Sequence, residues 1–428
     1  MSELKRHMNL FHLTMYGVGL ILGAGIYVLI GEAAGLAGDA VWISITLGTI
    51  VAVFAGLSYA ELSSVFPKAA AEYTFVKNSF KSNFLGFIIG WLTAITSIIS
   101  ASTIALGFGG YLAEFVNLPI VLSAILLLGA LSIINFFGIR ESSWTNIIFT
   151  IVEAAGLVII IYIGFTFATP EPVEYFESPT GLSGIVIAFL LIFFAFIGFE
   201  DMANVAEEVK KPSRTIPKAI LLSILITGVI YILVSLAAVR VVNWQDLGTS
   251  SAPLAAIAER ALGSGGHVLL SSIALFATTN TVLITLIAGS RMLYGMSRDK
   301  TLPIILGKIH FKTKTPWIAI IGIMITSMAF AFVGDIVIVA NITVFAIVIT
   351  FAMVNLSVIV LRYTEPTIER PFRVPINIGK FPILPLFGLG MSVYMGFQFE
   401  MDIVAVGLAI IAAGAIFYII YNKKIKKQ

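Results

Sequence analysis

Five glycines, Gly17, Gly19, Gly23, Gly25 and Gly31, fall inside one apolar run, GVGLILGAGIYVLIG. Glycine weakens a helix, and a helix interrupted in an apolar medium frees backbone N–H groups that need a partner. The chemistry on offer around Leu22, Gly23, Ala24, Gly25 and Ile26 is therefore capture of an anionic group, such as a carboxylate, by backbone N–H groups at a helix start. The plain alternative is close helix packing, because Gly19 and Gly23 are spaced as GxxxG. A dinucleotide loop does not fit. The GxGxxG spacing fails at Leu22, and no strand precedes it.

A second interruption reads FFAFIGFEDMANVAEEV, with Phe196, Ile197, Gly198 and Phe199 leading into the adjacent acids Glu200 and Asp201. Acids inside an apolar run are costly and face a cavity or a partner; the alternative places this pair at the end of the run, at an interface. Glu153, within TNIIFTIVEAAGL, lies about nine residues or about 14 Å into its run. A carboxyl there either bonds to a neighbouring helix or titrates and pairs with a cation. Thr278 and Thr279, followed by Asn280 and Thr281, place consecutive polar side chains deep in another run. They suit a cation or substrate contact, or bonds to their own backbone. Glu153, Asp201, Thr278 and Thr279 are the candidates for coupling to an ion.

Other chemistries lack their residues. The four histidines, His7, His12, His267 and His310, stand at no metal-ligand spacing, so no metal site and no cofactor is expected. There is no GxxxxGK[ST] loop for a nucleotide motor, and GxSxG and HExxH are also missing, so no catalytic residue is assigned. Without TVGYG or an arginine-repeat sensor the ion-channel reading is weak. Zero cysteines exclude thiolate chemistry and a disulfide-linked partner.

The elements that would position these residues follow from composition. Of 428 residues 59% are hydrophobic and 11% charged, with a mean hydropathy of +1.02. Soluble domains run near 25% charged. Such a chain cannot cover a soluble surface, and a net charge of +3 without a basic face excludes nucleic acid as a partner. A lipid bilayer is the expected environment. A crossing helix needs about 20 apolar residues. Twelve such runs are expected, at 10–36, 41–66, 83–113, 118–137, 144–168, 182–208, 215–241, 265–295, 316–333, 336–361, 381–399 and 402–421. With the first run retained as a span and both termini cytoplasmic, 24 of the 26 basic residues fall on the cytoplasmic side, from Lys5, Arg6 and Lys68 through Arg140 and Lys314 to Lys426 and Lys427. Arg240 and Arg260 are the exceptions, while acids such as Asp39, Glu114, Glu171 and Asp335 collect outside. This asymmetry is the positive-inside rule. The segment 252–262 reads as a short amphipathic helix lying over the outer face.

Several motifs then carry a family likeness over nearly the whole length. YAELSSVFPKAAAEYTFVKNSF (Tyr59 to Phe80), FFAFIGFEDMANVAEEVKKPSRTIPKAI, SRMLYGMSRDKTLP (Ser290 to Pro303) and RPFRVP (Arg370 to Pro375) occur in order at the expected runs. Together they resemble the amino acid–polyamine–organocation superfamily of secondary transporters. The resemblance implies a leucine-transporter-type five-plus-five inverted repeat with two extra C-terminal helices: 1–168, 182–361 and 381–421. It also implies that the backbone at Gly23 to Gly25 takes an α-carboxylate, with Phe196 to Phe199 toward the amino group and side chain. Many proton-coupled members carry a lysine in span five; here Glu153 stands at that place, which leaves proton coupling, sodium coupling and uncoupled exchange open.

The expected function is transport of an amino acid or small amine across the cytoplasmic membrane by alternating access, without covalent chemistry. The substrate-binding set is Leu22 to Ile26 with Phe196 to Glu200, and H+ or Na+ is the candidate co-substrate. A polyamine or cationic amino acid exchanger is the alternative, and a non-transporting membrane sensor a remote one.

Overall fold

The computed structural model describes residues 6, 8–68, 70–113, 115–137, 142–167, 173–313, 315–333 and 335–425. Lys5, His7, Glu114, Arg140, Glu171, Lys314, Lys426 and Lys427 lie outside the described residues.

Apart from one two-residue hairpin (Asn377–Ile378 with Phe381–Pro382) and an isolated bridge from Met8 to Val209, the described residues are helical or in turns and irregular loops. The helix α1 (Leu10–Leu22) is capped by Asn9, whose side chain accepts from the His12 N–H. It stops at Gly23, and α2 (Ala24–Ala37) resumes at once. A 3-10 turn at Gly38–Ala40 reverses the chain into α3 (Val41–Val65). The short α4 (Ala71–Phe80) leads to α5 (Asn83–Ala113), α6 (Ile120–Phe137) and α7 (Ser142–Thr166). The helix α8 (Leu182–Ile192) gives way to a 3-10 turn, an irregular stretch and the one-turn α9 (Asp201–Asn204). Beyond it come α10 (Pro212–Val241), α11 (Trp244–Gly248), α12 (Pro253–Leu262) and α13 (Ser264–Arg298). The chain ends with α14 (Trp317–Ala331), α15 (Ile336–Thr364), α16 (Ile383–Gln398) and α17 (Met401–Ile425).

Among the described residues nine stretches are long and apolar enough to cross a membrane. One of them, Leu10–Val65, holds α1, α2 and α3 and turns back at Gly38–Ala40, while α14 and α16 are apolar but shorter. The protein is an all-α, multi-pass membrane protein. The sixth expected run, 182–208, is α-helical only as far as Ile192 before its break. The segment expected to be amphipathic is α12, with Leu254, Ile257 and Ala258 buried and Glu259 and Arg260 exposed.

In lipid, helices gain little from burying apolar surface against each other, so close approach of small residues does the work. At Gly164 an added Cβ would sit 2.5 Å from the Cα of Ala237, and at Gly48 it would sit 2.8 Å from the Phe196 ring. The helix α3 packs along α10, α5 along α13 and α1 along α10. In the most apolar window of α5, 78% is buried, against 17% for α17. The interior is therefore built around α5, and α17 turns its side chains to lipid.

One charge cluster is sealed into this frame. Glu61 of α3 is 1% exposed and receives Arg362 of α15 through Nε (2.6 Å) and Nη2 (2.5 Å), one to each carboxylate oxygen. The Val374 N–H adds a bond at 2.8 Å, and Arg370 Nε approaches to 3.3 Å. The loop that follows α15 is thus fastened to the end of α3.

Candidate binding site at the two helix breaks

At the first break a single residue, Gly23, leaves the helical region (φ −49°, ψ −139°), so the helix bends rather than unwinds over several residues. The first N–H groups of α2 have no partner within the helix; the Ala24 N–H is directed at Thr281 Oγ1 of α13, 3.4 Å away. A Cβ at Gly23 would overlap that oxygen, so glycine here serves packing as well as bending.

The second break is longer. The 3-10 turn Phe193–Phe196 is followed by extended Ile197 and then Gly198 at φ +129°, a conformation that side-chain-bearing residues rarely adopt. The Gly198 N–H donates to Glu200 Oε2 (2.9 Å), so the first of the paired acids holds the break in shape.

The two breaks meet. A Cβ on Gly25 would overlap the Cα of Ala195, and one on Gly198 would lie 3.3 Å from Leu20 Cβ. Tyr231 of α10 touches both, its one hydroxyl proton shared between Ile21 O and Ala195 O. Between them lies a cavity of about 30 Å³, where one ordered water needs about 10–15 Å³. Its walls are Leu20, Ile21 and Gly25 from the first break, and Phe194 to Asp201, less Phe196 and Phe199, from the second. Thr281 and Thr285 of α13, Ile347 of α15 and a hydroxyl-bearing face of α5 complete it.

Of the expected binding residues, Gly25, Ile197, Gly198 and Glu200 border the cavity, as does Asp201. Leu22, Gly23, Ala24 and Ile26 are buried outside its walls. Phe196 turns away onto Tyr231 and Gly48, and Phe199 onto Tyr59 and Phe351. A 3-10 turn followed by extended backbone shifts the helical rotation, so positions adjacent in sequence face different ways.

Glu153 is wholly buried between α7, α2 and α13. Its Oε1 accepts from Asn280 Nδ2 (3.1 Å), while Oε2 has no hydrogen-bond partner among the described residues. Its backbone carbonyl accepts from the Tyr27 hydroxyl (2.7 Å), and the Tyr27 carbonyl from the Tyr111 hydroxyl (2.5 Å). Thr278 and Thr279 instead donate to Ala274 O and Leu275 O of their own helix, both at 2.7 Å. The intervening polar residue that reaches Glu153 is Asn280.

Sequence reasoning also passed over Glu61 and Glu72, although both stand in the quoted motifs. Glu72 of α4 is buried beneath the second break, where its Oε2 accepts from Asn204 Nδ2 (3.2 Å). Burial pushes its carboxyl up to about 7, against the opposing effect of hydrogen bonds from its own backbone, Asn204 and Tyr59. Among the described residues no group of three or more His, Asp or Glu side chains could hold a metal ion.

A multi-pass helical bundle with a small polar cavity between two broken helices has the build of a membrane permease. A family model described as "Amino acid permease" matches residues 8–421, and the chain belongs to that family. A branched-chain amino acid permease of Bacillus subtilis is 28% identical over 447 residues, covering 100% of this chain and 95% of the relative. A methylthioribose transporter of the same organism is 28% identical over 99% of this chain and 95% of its own length. A vacuolar cationic amino acid transporter of Arabidopsis thaliana is 30% identical over 85% of this chain and 64% of its own length. The family and these relatives are transporters, not enzymes.

Proposed function

We propose that the protein moves amino acids across the cytoplasmic membrane by alternating access, with the substrate held between the two helix breaks. The observation that carries this reading is the meeting of the breaks around one polar cavity. The N–H of Gly25, in the first turn of α2 and on the cavity wall, suits a carboxylate, and the acids Glu200 and Asp201 suit an ammonium group. Both ends of a zwitterion then have a complement. Asp201 also suits a cationic side chain, which makes a cationic amino acid exchanger the second reading.

We read the chain as twelve crossings in two inverted five-helix halves, 1–168 and 182–361, with 381–421 added. Twelve results when Leu10–Val65 is taken as two crossings and α14 and α16 are included. In support of the repeat, matching members pack together: first-span break on sixth-span break, α3 on α10, α5 on α13. Charge asymmetry supports cytoplasmic termini. Glu153, with Asn280 as its neighbour, is the position proposed to take up a proton or sodium ion.

The test is counterflow. Proteoliposomes preloaded with unlabelled amino acid should transiently concentrate the labelled form, and absence of counterflow under every proton and sodium gradient would overturn the proposal. Gly25→Ala, which drives a Cβ against Ala195, should cut uptake at least about tenfold with insertion retained; uptake at the wild-type rate removes Gly25 from the site.

A further inference from the structure

The wall of the cavity contributed by α5 is a row of hydroxyls: Thr93, Thr96, Ser97 and Ser100. Two are engaged within their own helix. Thr93 Oγ1 donates to Ile89 O (3.0 Å) and Ser97 Oγ to Thr93 O (3.2 Å). The other two are not. Thr96 Oγ1 and Ser100 Oγ have no hydrogen-bond partner among the described residues, although the residues are only 3% and 4% exposed.

Other buried serine and threonine hydroxyls, such as those of Ser123, Ser132 and Ser271, also lack a partner among the described residues, but none of these residues borders the cavity. Helical serine and threonine commonly donate to the carbonyl four residues back, as Thr278, Thr343 and Thr350 do here. Buried polar groups are as a rule paired. Thr96 and Ser100 are one helical turn apart, so their side chains lie one above the other on the same face. That face is the one bordering the cavity beside Ile197 and Gly198. Two unengaged donor–acceptor groups therefore stand in the wall of the space between the breaks.

Size and charge narrow what they meet. A cavity of about 30 Å³ holds only one or two waters, so an amino acid enters only as the two breaks move apart, and a small side chain demands the least movement. Glu200 and Asp201 on the same cavity repel an acidic side chain. An aliphatic side chain would fill the space but leave both hydroxyls unpaired, and sites built for a hydrogen bond discriminate strongly against analogues that lack it.

We propose that Thr96 and Ser100 are specificity-determining residues, and that the substrate is a small neutral amino acid whose side chain carries a hydroxyl. The inference rests on the reading of this cavity as the substrate site.

Competition for uptake in proteoliposomes tests it. Unlabelled serine and threonine should compete about tenfold or more better than alanine, valine, leucine or lysine. Thr96→Val and Ser100→Ala should each lower the serine-over-alanine preference about tenfold, the size expected for one lost hydrogen bond to a buried partner. Thr96→Ser, which keeps the hydroxyl, should keep the preference. Wild-type protein that prefers leucine or lysine overturns the proposal whatever the variants do. So does an unchanged serine-over-alanine ratio in Thr96→Val and Ser100→Ala. Uptake of amino acids without a hydroxyl preference defeats this inference alone; absence of uptake and counterflow for every amino acid defeats the transport reading beneath it.

Discussion

Glu61 and Glu153 are both carboxylates buried in a helical membrane bundle, and their surroundings could hardly differ more. Glu61 is saturated: two bonds from Arg362, one from the Val374 N–H and a second guanidinium at 3.3 Å. Glu153 has one amide donor, Asn280, and a second oxygen without a partner among the described residues. A charge in a low-dielectric interior is tolerable when it is matched and costly when it is not. The first carboxylate is therefore committed to holding the loop after α15 against α3. The second has bonding capacity left over, which is what a group that binds and releases an ion requires.

The largest effect should come from breaking the saturated site. Glu61→Gln leaves Arg362 and Arg370 without their counter-charge, and loss of one partner of a buried pair typically costs about 3–5 kcal/mol. A steep fall in melting temperature in detergent should follow. Adding Arg362→Met to Glu61→Gln should restore part of that loss; a double variant as unstable as the single one would show that the pair is not the source.

Next comes Glu153→Gln. The amide oxygen can still accept from Asn280, so stability should move by no more than about 1 kcal/mol, while the pH or sodium dependence of uptake changes. Should the protein melt as early as Glu61→Gln, the contrast between the two sites collapses.

The effect confined to a pH window concerns Glu72. Its carboxyl is raised to about 7, so the folded protein holds a proton that the unfolded chain releases above about 4.5. Stability from this group is present at low pH and falls as pH rises between those values, by at most about 1.4 kcal/mol per pH unit. Tyr59, Glu200 and Asp201 stand close enough to interact with it electrostatically. Melting temperature against pH should be flatter between about 4.5 and 7 in Glu72→Gln than in the wild type; identical profiles would remove Glu72 as the cause.

The breaks themselves are legible in the sequence, because clustered glycines at the first and glycine beside acid at the second are costly inside an apolar run unless the helix opens there. What the sequence hides is rotation. Phe196 and Phe199 flank Gly198 closely, yet both face the core, since the backbone between them is neither helix nor strand. Thr278 and Thr279 attract attention by position, but the residue that meets Glu153 is Asn280, a contact between α7 and α13 that no local spacing encodes. The hydroxyls of α5 are visible as TAITSIIS at helical spacing. Nothing in that string says which of them bond their own backbone and which are left open. Glu61 and Glu72 lie near the ends of apolar runs, where an acid reads as interfacial until the partners folding over it are seen.

Tyr231 gives the meeting of the breaks a mechanical meaning. One phenol oxygen engages a carbonyl from each interrupted helix, Ile21 on one side and Ala195 on the other. Two segments from distant parts of the chain thus turn on a shared pin, and the pin is mounted on a third helix, α10. Neither segment can swing while both carbonyls stay engaged. The pin stands outside the cavity wall, so the two arms are joined through a residue that does not itself line the cavity.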